Sequence, residues 1–278
     1  MSATDPLDLL AAVAADFARD GYAIVPDALD PATCAALRAR AEALVDAFDP
    51  LAAGVPFTTD DQQARDAWFL DSGDRIRCFL EDGALVDGRL AVPRDRAVNK
   101  IGHALHARDP VFAPASTVDR WRPLLAAAGV TDPRAVQSMY IVKGPGQGGE
   151  VAPHQDGTFL YTEPLTTVGV WLALADADRH NGCLWGLPGA HRGPLRRRYV
   201  REGDTTRFVE LDATPVPPFG AEGWVPLEVP AGAAILLDAR LPHASERNTS
   251  ARPRPAYAIH FVDRAARWAE DNWIVPIT

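Results

Sequence analysis

Apolar residues recur at three- and four-residue steps through the first part of the chain, and this periodicity changes near residue 130. The clearest stripe follows Asp30-Pro31, where an N-cap acceptor precedes a proline at the first helical position. Such spacing places the apolar residues on one face of a helix. We therefore predict a helix that begins here, within a mostly helical portion over residues 1–130. The stripe consists of Cys34, Leu37, Ala41, Leu44 and Phe48.

Three further segments of this portion carry a local signal. Gly21 to Val25 is a short β-type run between the N-terminal helix and the second helix. Helical patterns also cover roughly Ala97 to Ala107 and Thr117 to Ala128. We thus expect helices and one short strand in the N-terminal portion.

After about Arg134, short runs rich in β-branched and aromatic residues alternate with turns such as Asn181-Gly182 and Pro230-Ala231-Gly232. This pattern predicts a mainly β protein with α-helices: a meander or a jelly-roll, cupin-like core over residues 131–265, with the N-terminal helices packed beside it. No repeat or linker divides the chain, which indicates a single domain over residues 1–278. The predicted strands are Val136 to Val142, Thr166 to Leu174, Cys183 to Leu187, Trp224 to Val229, Ala233 to Leu237 and Ala256 to Val262.

Charge narrows the range of partners. The formal net charge is −9, and an acidic excess argues against non-specific binding to nucleic acid. Arg196 to Arg198, with Arg201, form the one basic cluster. We interpret this cluster as a solvated loop, with contact to an anionic substrate as the alternative.

No targeting or membrane segment is evident. The N-terminus lacks a basic region before an apolar stretch, and no apolar run approaches the roughly 20 residues needed to span a bilayer. The C-terminus does not carry an SKL-type address. The three cysteines have neither CxxC nor zinc spacing, which suits free thiols in a reducing compartment. We therefore expect a cytoplasmic protein that does not bind membranes.

His154-Gln155-Asp156 spaces a histidine and an aspartate by one residue. In an extended strand, residues i and i+2 point to the same face, so both side chains can bind one metal ion. His243 follows a predicted strand, and a rolled sheet can bring distant strands together. Two histidines and one carboxylate that leave other coordination positions open form the ligand set of Fe(II) oxygenases. A surface turn is the structural alternative for His154 and Asp156.

Arg254 opens the last predicted strand, eleven residues after His243. A planar guanidinium presents a fixed fork of donors that suits a carboxylate. A dicarboxylate that chelates the metal through its keto-acid end would need such a partner at its far end. Arg252 competes for this role, and a surface ion pair is the alternative for Arg254.

Taken together, these motifs resemble the phytanoyl-CoA dioxygenase family, most closely its branch of phytanoyl-CoA dioxygenase domain-containing proteins. The similarity runs from about Gly21 to Val262, and its strength lies in the combination of motifs. The stretches that carry it are His154 to Pro164, Asn181 to Trp185, Pro188 to His191, His243 to Arg254, and Asn99 to His106.

The resemblance implies a double-stranded β-helix with catalytic Fe(II) bound by His154, Asp156 and His243, and with 2-oxoglutarate and O₂ as co-substrates. It implies that Arg254 pairs with the distal carboxylate of 2-oxoglutarate, with Ser245 beside it. The family's reaction is hydroxylation of a small-molecule or acyl-type substrate, with release of succinate and CO₂. Asp156 favours hydroxylation over halogenation, because a halogenase would leave the carboxylate position to a halide. The resemblance also implies that four further residues lie near the co-substrate: Lys100, Met139, Gln155 and Trp171.

Two other functions stay open at this point. A cupin-like metalloenzyme that does not use 2-oxoglutarate would share the metal ligands, but Lys100, Ser245 and Arg254 would then have no dicarboxylate to hold. The second is a non-catalytic metal-binding or sensor protein on the same fold. The sequence identifies neither the substrate nor the oligomeric state.

The remaining polar candidates are interpreted as structural. We expect His103 and His106 to be core or cap histidines or to line the substrate pocket, and His191 to fix a loop by hydrogen bonding. His260 is interpreted as a satisfied core histidine, and Lys143 as a charge at the end of a strand. The segments expected to face the substrate, because they are long and irregular, are 59–90, 145–150 and 192–222.

Overall fold

A computed structural model describes residues 5–49, 67–86, 89–146 and 148–277, so positions 59–66, 87–88 and 147 of the expected substrate-facing segments lie outside the described residues. The α-helices are α1 (Pro6–Asp20), α2 (Pro31–Ala47), α3 (Ala67–Leu70), α4 (Arg94–Ala97), α5 (Leu105–Arg108) and α6 (Val118–Ala127). The strands are β1 (Tyr22–Val25), β2 (Ile76–Leu80), β3 (Leu85–Val86), β4 (Arg89–Leu90), β5 (Val98–His103), β6 (Pro133–Ile141), β7 (Val151–His154), β8 (Thr162–Glu163), β9 (Val168–Ala173), β10 (Leu184–Gly186), β11 (Arg197–Glu202), β12 (Thr205–Glu210), β13 (Val225–Leu227), β14 (Ala234–Asp238), β15 (His243–Ser245), β16 (Ala256–Asp263) and β17 (Arg267–Trp268).

Two antiparallel sheets form the core of the fold. The larger has seven strands in the order β1-β14-β9-β16-β6-β5-β2, and the smaller has four in the order β13-β10-β15-β7. Trp171 and Ile235 of the large sheet share one buried cluster with Leu184 and Leu227 of the small sheet, so the two sheets pack face to face. All six strands predicted after residue 134 are present, and the predicted mainly β architecture is confirmed.

The large sheet has a helix-covered face and a face that looks toward the small sheet. On β16, Tyr257, Ile259 and Phe261 join the core cluster that includes residues of α1, α2 and α6. Ala258 and His260, which alternate with them, line a cavity on the other face. The two-residue period of the strand therefore separates residues that hold the helices from residues that build the cavity.

Two helices and one strand of the N-terminal portion lie where the sequence predicts them. The side chain of Asp30 accepts a hydrogen bond from the backbone N–H of Thr33 at 2.7 Å, which caps the start of α2. Of the predicted stripe, Cys34, Leu37 and Ala41 are buried, whereas Leu44 and Phe48 are half-buried at the edge of the core; Val45, outside the stripe, is also buried. Helix α6 confirms the prediction for Thr117 to Ala128, and β1 confirms the short strand.

The helix predicted over Ala97 to Ala107 is wrong. Val98–His103 forms β5, and the only helical residues of the predicted range are Ala97, which ends α4, and those in Leu105–Arg108. The strand pairs with β2 on one side and with β6 on the other, where Lys100 lies opposite Ile141. Pairing on both sides satisfies the backbone groups of this segment, and this tertiary context overrides the weak helical periodicity.

The solvated loop predicted for Arg196 to Arg201 is also wrong, because these residues lie almost entirely in β11. This strand pairs in register with β12 and forms a hairpin closed at Gly203, which has a φ of +64°. Tyr199 is 1% exposed, so the segment is anchored by an aromatic side chain and not solvated throughout.

Candidate active site

Three predicted metal ligands converge at the edge of the small sheet. His154 ends β7 and His243 begins β15, and the two residues are directly paired across the strands, with ring centroids 4.2 Å apart. Asp156 opens a short 3₁₀ turn immediately after β7. One donor atom from each residue lies within 4.8 Å of the others, which is close enough for all three to bind one metal ion.

Backbone contacts fix the tautomers of both imidazoles. The Nδ1 atom of His154 lies 2.9 Å from the carbonyl of Ala152, and that of His243 lies 3.0 Å from the carbonyl of Leu241. A carbonyl can only accept, so each Nδ1 carries the proton and each Nε2 presents its lone pair. Both Nε2 atoms face Oδ1 of Asp156, at 3.8 Å and 3.6 Å.

The second carboxylate oxygen of Asp156 has its own neighbour. Nε2 of His260 lies 3.2 Å from Oδ2 of Asp156. A β-carbon at Gly169 would lie 3.0 Å from the same oxygen, so the missing side chain at position 169 leaves room for the carboxylate. Oδ1 therefore faces the two Nε2 lone pairs, while Oδ2 faces the His260 ring.

The protonation states suit a metal site. Burial alone would raise the pKa of Asp156, but the neighbouring His243 and His260 imidazoles lower it well below its usual range. Burial, together with the adjacent His243, lowers the pKa of His154 to about 4. Asp156 is thus ionised and His154 neutral at physiological pH, which are the forms that bind metals.

A cavity of about 180 Å³ opens from these three residues, and Arg254 lies on its wall. Arg254 is 1% exposed, and its Nε donates to the carbonyl of Gly182 at 2.9 Å. Its guanidinium carbon lies 5.2 Å from the Trp171 ring centroid. Burial lowers the pKa of Arg254 to about 10, so it stays charged at neutral pH. Its Nη1 atom has no hydrogen-bond partner within the described ranges, so a buried cationic donor is left for an anion.

Lys143 joins Ser245 beside this guanidinium. Its Nζ donates to Ser245 Oγ at 2.8 Å and to the carbonyl of Gly149 at 2.5 Å, and the residue is 2% exposed. Because Nζ is the donor in this bond and Ser245 Oγ the acceptor, the hydroxyl proton of Ser245 is free to point elsewhere. Burial, reinforced by the charge of Arg254, lowers the pKa of Lys143 to about 6. Lys143 is thus part of the cavity wall. The prediction that it is only a charge at the end of a strand is wrong.

The other predicted co-substrate contacts divide into two groups. Lys100, Met139 and Trp171 line the cavity, and Lys100 Nζ lies 3.7 Å from the sulfur of Met139. Gln155 points away from it: its amide nitrogen donates to the carbonyls of Pro194 and Arg240, and its oxygen accepts from a backbone N–H. Gln155 therefore ties surrounding loops together and offers no side-chain group to the cavity.

The competing arginine and the histidines at positions 103, 106 and 191 do not belong to the three-ligand group. Arg252 pairs with Asp178 at the surface, with 58% of its side chain exposed, so of these two arginines it is Arg254 that faces the cavity. His103 and His106 are bonded to Ser72 and Ser138, as expected of core histidines, and His103 also lines the cavity. The predicted loop hydrogen bond of His191 is not seen at Nδ1, which lacks a partner in the described part of the chain.

Sequence reasoning missed two polar residues of the site, His260 and Lys143. Local sequence carries no signal for either role, because each depends on which distant segment packs against it. The three irregular segments expected to face the substrate do reach the cavity, each contributing one lining residue within the described ranges: Phe69, Gly149 and Arg197. In the described residues, no helix is long and apolar enough to cross a membrane.

Comparisons with a family model and with individual proteins identify the same family. The family model for phytanoyl-CoA dioxygenase (PhyH) matches residues 17–256. Phytanoyl-CoA dioxygenase domain-containing protein 1 of Bos taurus is 41% identical over 94% of this chain and 92% of its own length. A phytanoyl-CoA dioxygenase of Arabidopsis thaliana is 36% identical over 93% of this chain and 90% of its own.

The fold also matches solved structures. The epimerase SnoN, in complex with Fe3+, alpha ketoglutarate and nogalamycin RO, aligns with a TM-score of 0.64 over 95% of this chain and 87% of that chain. The two sequences are 19% identical, so this likeness concerns the fold alone. The chain belongs to the phytanoyl-CoA dioxygenase family and is a non-haem iron oxygenase with 2-oxoglutarate and O₂ as co-substrates, as its sequence predicted.

Proposed function

We propose that this enzyme hydroxylates an aliphatic C–H bond of a small-molecule or acyl-type substrate, with release of succinate and CO₂. In this proposal His154, Asp156 and His243 hold Fe(II), and Arg254 binds the distal carboxylate of 2-oxoglutarate. One observation carries it: three metal-binding donor atoms and a buried guanidinium with an unbonded Nη1 line the same cavity.

The donor set fits the metal. Two neutral imidazoles and one carboxylate contribute a single negative charge and leave coordination positions for other ligands, as in the facial triad of non-haem iron oxygenases. His260, behind Asp156 Oδ2, holds the carboxylate in place so that Oδ1 faces the metal position. Bound iron and 2-oxoglutarate together supply the O₂ activation that the side chains cannot provide.

The far end of the cavity fits the co-substrate. Arg254 offers a fixed fork of donors, and its bond to Gly182 together with the nearby Trp171 ring orients that fork before any ligand binds. Ser245 lies two residues after the ligand His243 and can donate its hydroxyl proton to the same carboxylate. Lys143 contributes a second cation when protonated. Lys100 and Met139 complete the wall, whereas Gln155 has no place among these contacts.

Asp156 also favours hydroxylation over halogenation as the proposed reaction. A carboxylate on the metal occupies the position that a halide would take, and its pKa lies far below neutral pH, so it stays a ligand. Hydroxylation is therefore the outcome that these side chains favour.

Anaerobic titration of the purified protein with Fe(II) and 2-oxoglutarate tests the site. We expect the weak visible charge-transfer band of the ternary complex in the wild type and in His180→Ala, which changes an exposed histidine. Asp156→Ala and Arg254→Met should each lose the band at equal protein and ligand concentrations. A full band in either of these variants would refute the role given to that residue.

Substrate screening tests the reaction. Succinate release should depend on 2-oxoglutarate and rise above the uncoupled background with one class within a metabolite library that includes acyl-CoA thioesters. Mass analysis of that product should show a gain of one oxygen atom. Oxygen uptake that does not require 2-oxoglutarate would instead favour the cupin-like alternative.

A further inference from the structure

The four arginines near β11 differ in how their side chains are held. Arg196 donates from Nε to the carbonyl of Thr214, and Arg201 donates from Nε to the carbonyl of Gly203, each at 2.8 Å. Arg198 pairs with Asp271. The side chain of Arg197 makes neither a hydrogen bond nor an ion pair with the described residues, and Arg197 is the one of the four that lines the cavity.

Arg197 is nevertheless held in a defined orientation. Its guanidinium carbon lies 4.1 Å from the centroid of the Phe208 ring, on the neighbouring strand of the hairpin. Stacking on an aromatic face restrains the plane of a guanidinium and leaves its N–H groups free at the edge. Glu210 lies directly opposite Arg197 in the hairpin register, but the two side chains form no ion pair and Glu210 is exposed.

An aromatic wall continues from this arginine. Tyr199 shares the face of β11 with Arg197 and packs against Phe69 and Phe159, with ring centroids 6.4 Å and 5.6 Å away. Phe69 stacks on Trp273 at 4.4 Å. Phe69, Phe159 and Trp273 all line the cavity, whose surface is mostly apolar. The cavity therefore combines an apolar wall with a half-buried cation, Arg197, that has no counter-ion among the described residues.

This cation is separate from the group assigned to 2-oxoglutarate. Arg254 contacts Gly182 and Trp171, whereas Arg197 contacts Phe208, so the two guanidinium groups share no contact residue. A dicarboxylate that binds the metal and Arg254 has no third carboxylate for Arg197. An anion at Arg197 must then belong to another molecule.

We propose that Arg197 binds an anionic group of the primary substrate, a carboxylate or a phosphate ester, while the apolar part of that substrate lies along Phe69, Phe159 and Trp273. This inference rests on the proposed function, because it places the substrate in the cavity that also contains the metal ligands. It makes Arg197 a specificity-determining residue and narrows the substrate class to amphipathic anions.

The test uses the protein loaded with Fe(II) and 2-oxoglutarate under anaerobic conditions. The probes are octanoate and octyl phosphate, with octanamide and 1-octanol as uncharged counterparts of the same chain length. Calorimetry gives the dissociation constant of each probe for the wild type, Arg197→Gln, Arg197→Lys and Arg201→Gln. The last variant removes the same charge from an arginine that does not line the cavity, so it is the matched control.

We expect the wild type and Arg201→Gln to bind at least one anionic probe about tenfold or more tightly than its uncharged counterpart. Arg197→Gln should lose this preference, and Arg197→Lys should keep part of it. A preference for octanoate alone identifies a carboxylate substrate, and one for octyl phosphate alone identifies a phosphate ester. Equal binding of charged and uncharged probes by the wild type, or an unchanged preference in Arg197→Gln, would overturn the inference.

Titration with 2-oxoglutarate alone, in the same four proteins, separates this inference from the proposed function. Its dissociation constant should be the same in all four, because Arg197 is not assigned to the co-substrate. Failure of the wild type to bind 2-oxoglutarate would refute the proposed function, whereas normal binding without any anion preference would refute only the role of Arg197.

Discussion

Binding of 2-oxoglutarate should be coupled to proton uptake by Lys143. Burial, together with Arg254, lowers the pKa of this lysine to about 6. Of the other charged groups that affect it, Arg247 lowers its pKa further and Glu81 and Glu150 raise it. A co-substrate carboxylate bound between Arg254 and Ser245 would add a negative charge beside the ammonium, and this would favour the charged form.

The size of the effect follows from the pKa. At pH 7.5, a group with a pKa of about 6 is protonated in about 3% of molecules. A nearby opposite charge raises the pKa of an ammonium by about one to three units, so a shift of two to three units would bring it to about 8 to 9. Lys143 would then be about 75–97% protonated, and each co-substrate would take up about 0.7 to 0.9 proton.

Calorimetry in several buffers at pH 7.5 measures this number directly. The apparent binding enthalpy varies linearly with the ionisation enthalpy of the buffer, and the slope is the number of protons taken up. Lys143→Met should reduce the slope by about 0.7 to 0.9 and weaken 2-oxoglutarate binding, because a methionine of similar length cannot supply the charge. Arg201→Gln should leave both quantities unchanged.

Glu81 is the competing site of proton uptake, because burial raises its pKa and its carboxylate faces the Gly149 backbone. Glu81→Gln should therefore be measured in parallel, and most of the slope should survive in it. Equal slopes in the wild type and in Lys143→Met would show that the lysine keeps its protonation state on binding, and the reasoning from its environment would be refuted.

Three further predictions concern the supports of the site. His260→Phe removes the partner of Asp156 Oδ2 and should raise the Fe(II) dissociation constant about tenfold or more in competition with a chelator; unchanged affinity would rule out this support. Gly21→Ala should lower the free energy of unfolding, measured with urea, by about 1–2 kcal/mol or more. The reason is that position 21 has a φ of +82° and a β-carbon there would lie 2.5 Å from the His191 ring. Wild-type stability of this variant would contradict the geometry. Tyr257→Phe breaks a 2.6 Å bond to Ser116 and should cost about 1 kcal/mol in the same assay without changing 2-oxoglutarate affinity, because Tyr257 packs in the helix-covered core; weaker co-substrate binding would contradict that separation.

The features that sequence predicted well are those with a local cause. An aspartate followed by a proline starts α2 whatever packs against it, because its side chain caps the adjacent N–H of Thr33. His154 and Asp156 are two residues apart, so both side chains lie on the same side of the chain and close to one point. The turn predicted at Asn181-Gly182 contains the Gly182 carbonyl, which accepts the hydrogen bond from Arg254.

The features that sequence missed depend on pairing across the fold. The segment of β5 has a helical pattern on its own, and only the presence of β2 and β6 on either side makes it a strand. His260 contacts Asp156 because β16 lies beside β9, where Gly169 leaves space for the carboxylate. Lys143 is buried because Ser245 and the Gly149 carbonyl, from two other segments, receive its N–H groups. None of these neighbours is predictable from residues near the group itself.

The short strand β15 links the two halves of the proposed site. His243 and Ser245 are two residues apart, so both side chains face the cavity, and their backbones are separated by about 6–7 Å. In the proposed site, the separation between His243 and Ser245 sets the distance between the metal and the distal carboxylate. A five-carbon diacid spans a distance of this order. In the proposed site, the register of β15 against β7, where His243 lies opposite His154, would therefore set the positions of the metal ligands and the length of the co-substrate together. A slip of one residue would turn His243 and Ser245 away from the cavity at once, so metal binding and co-substrate binding should be lost together.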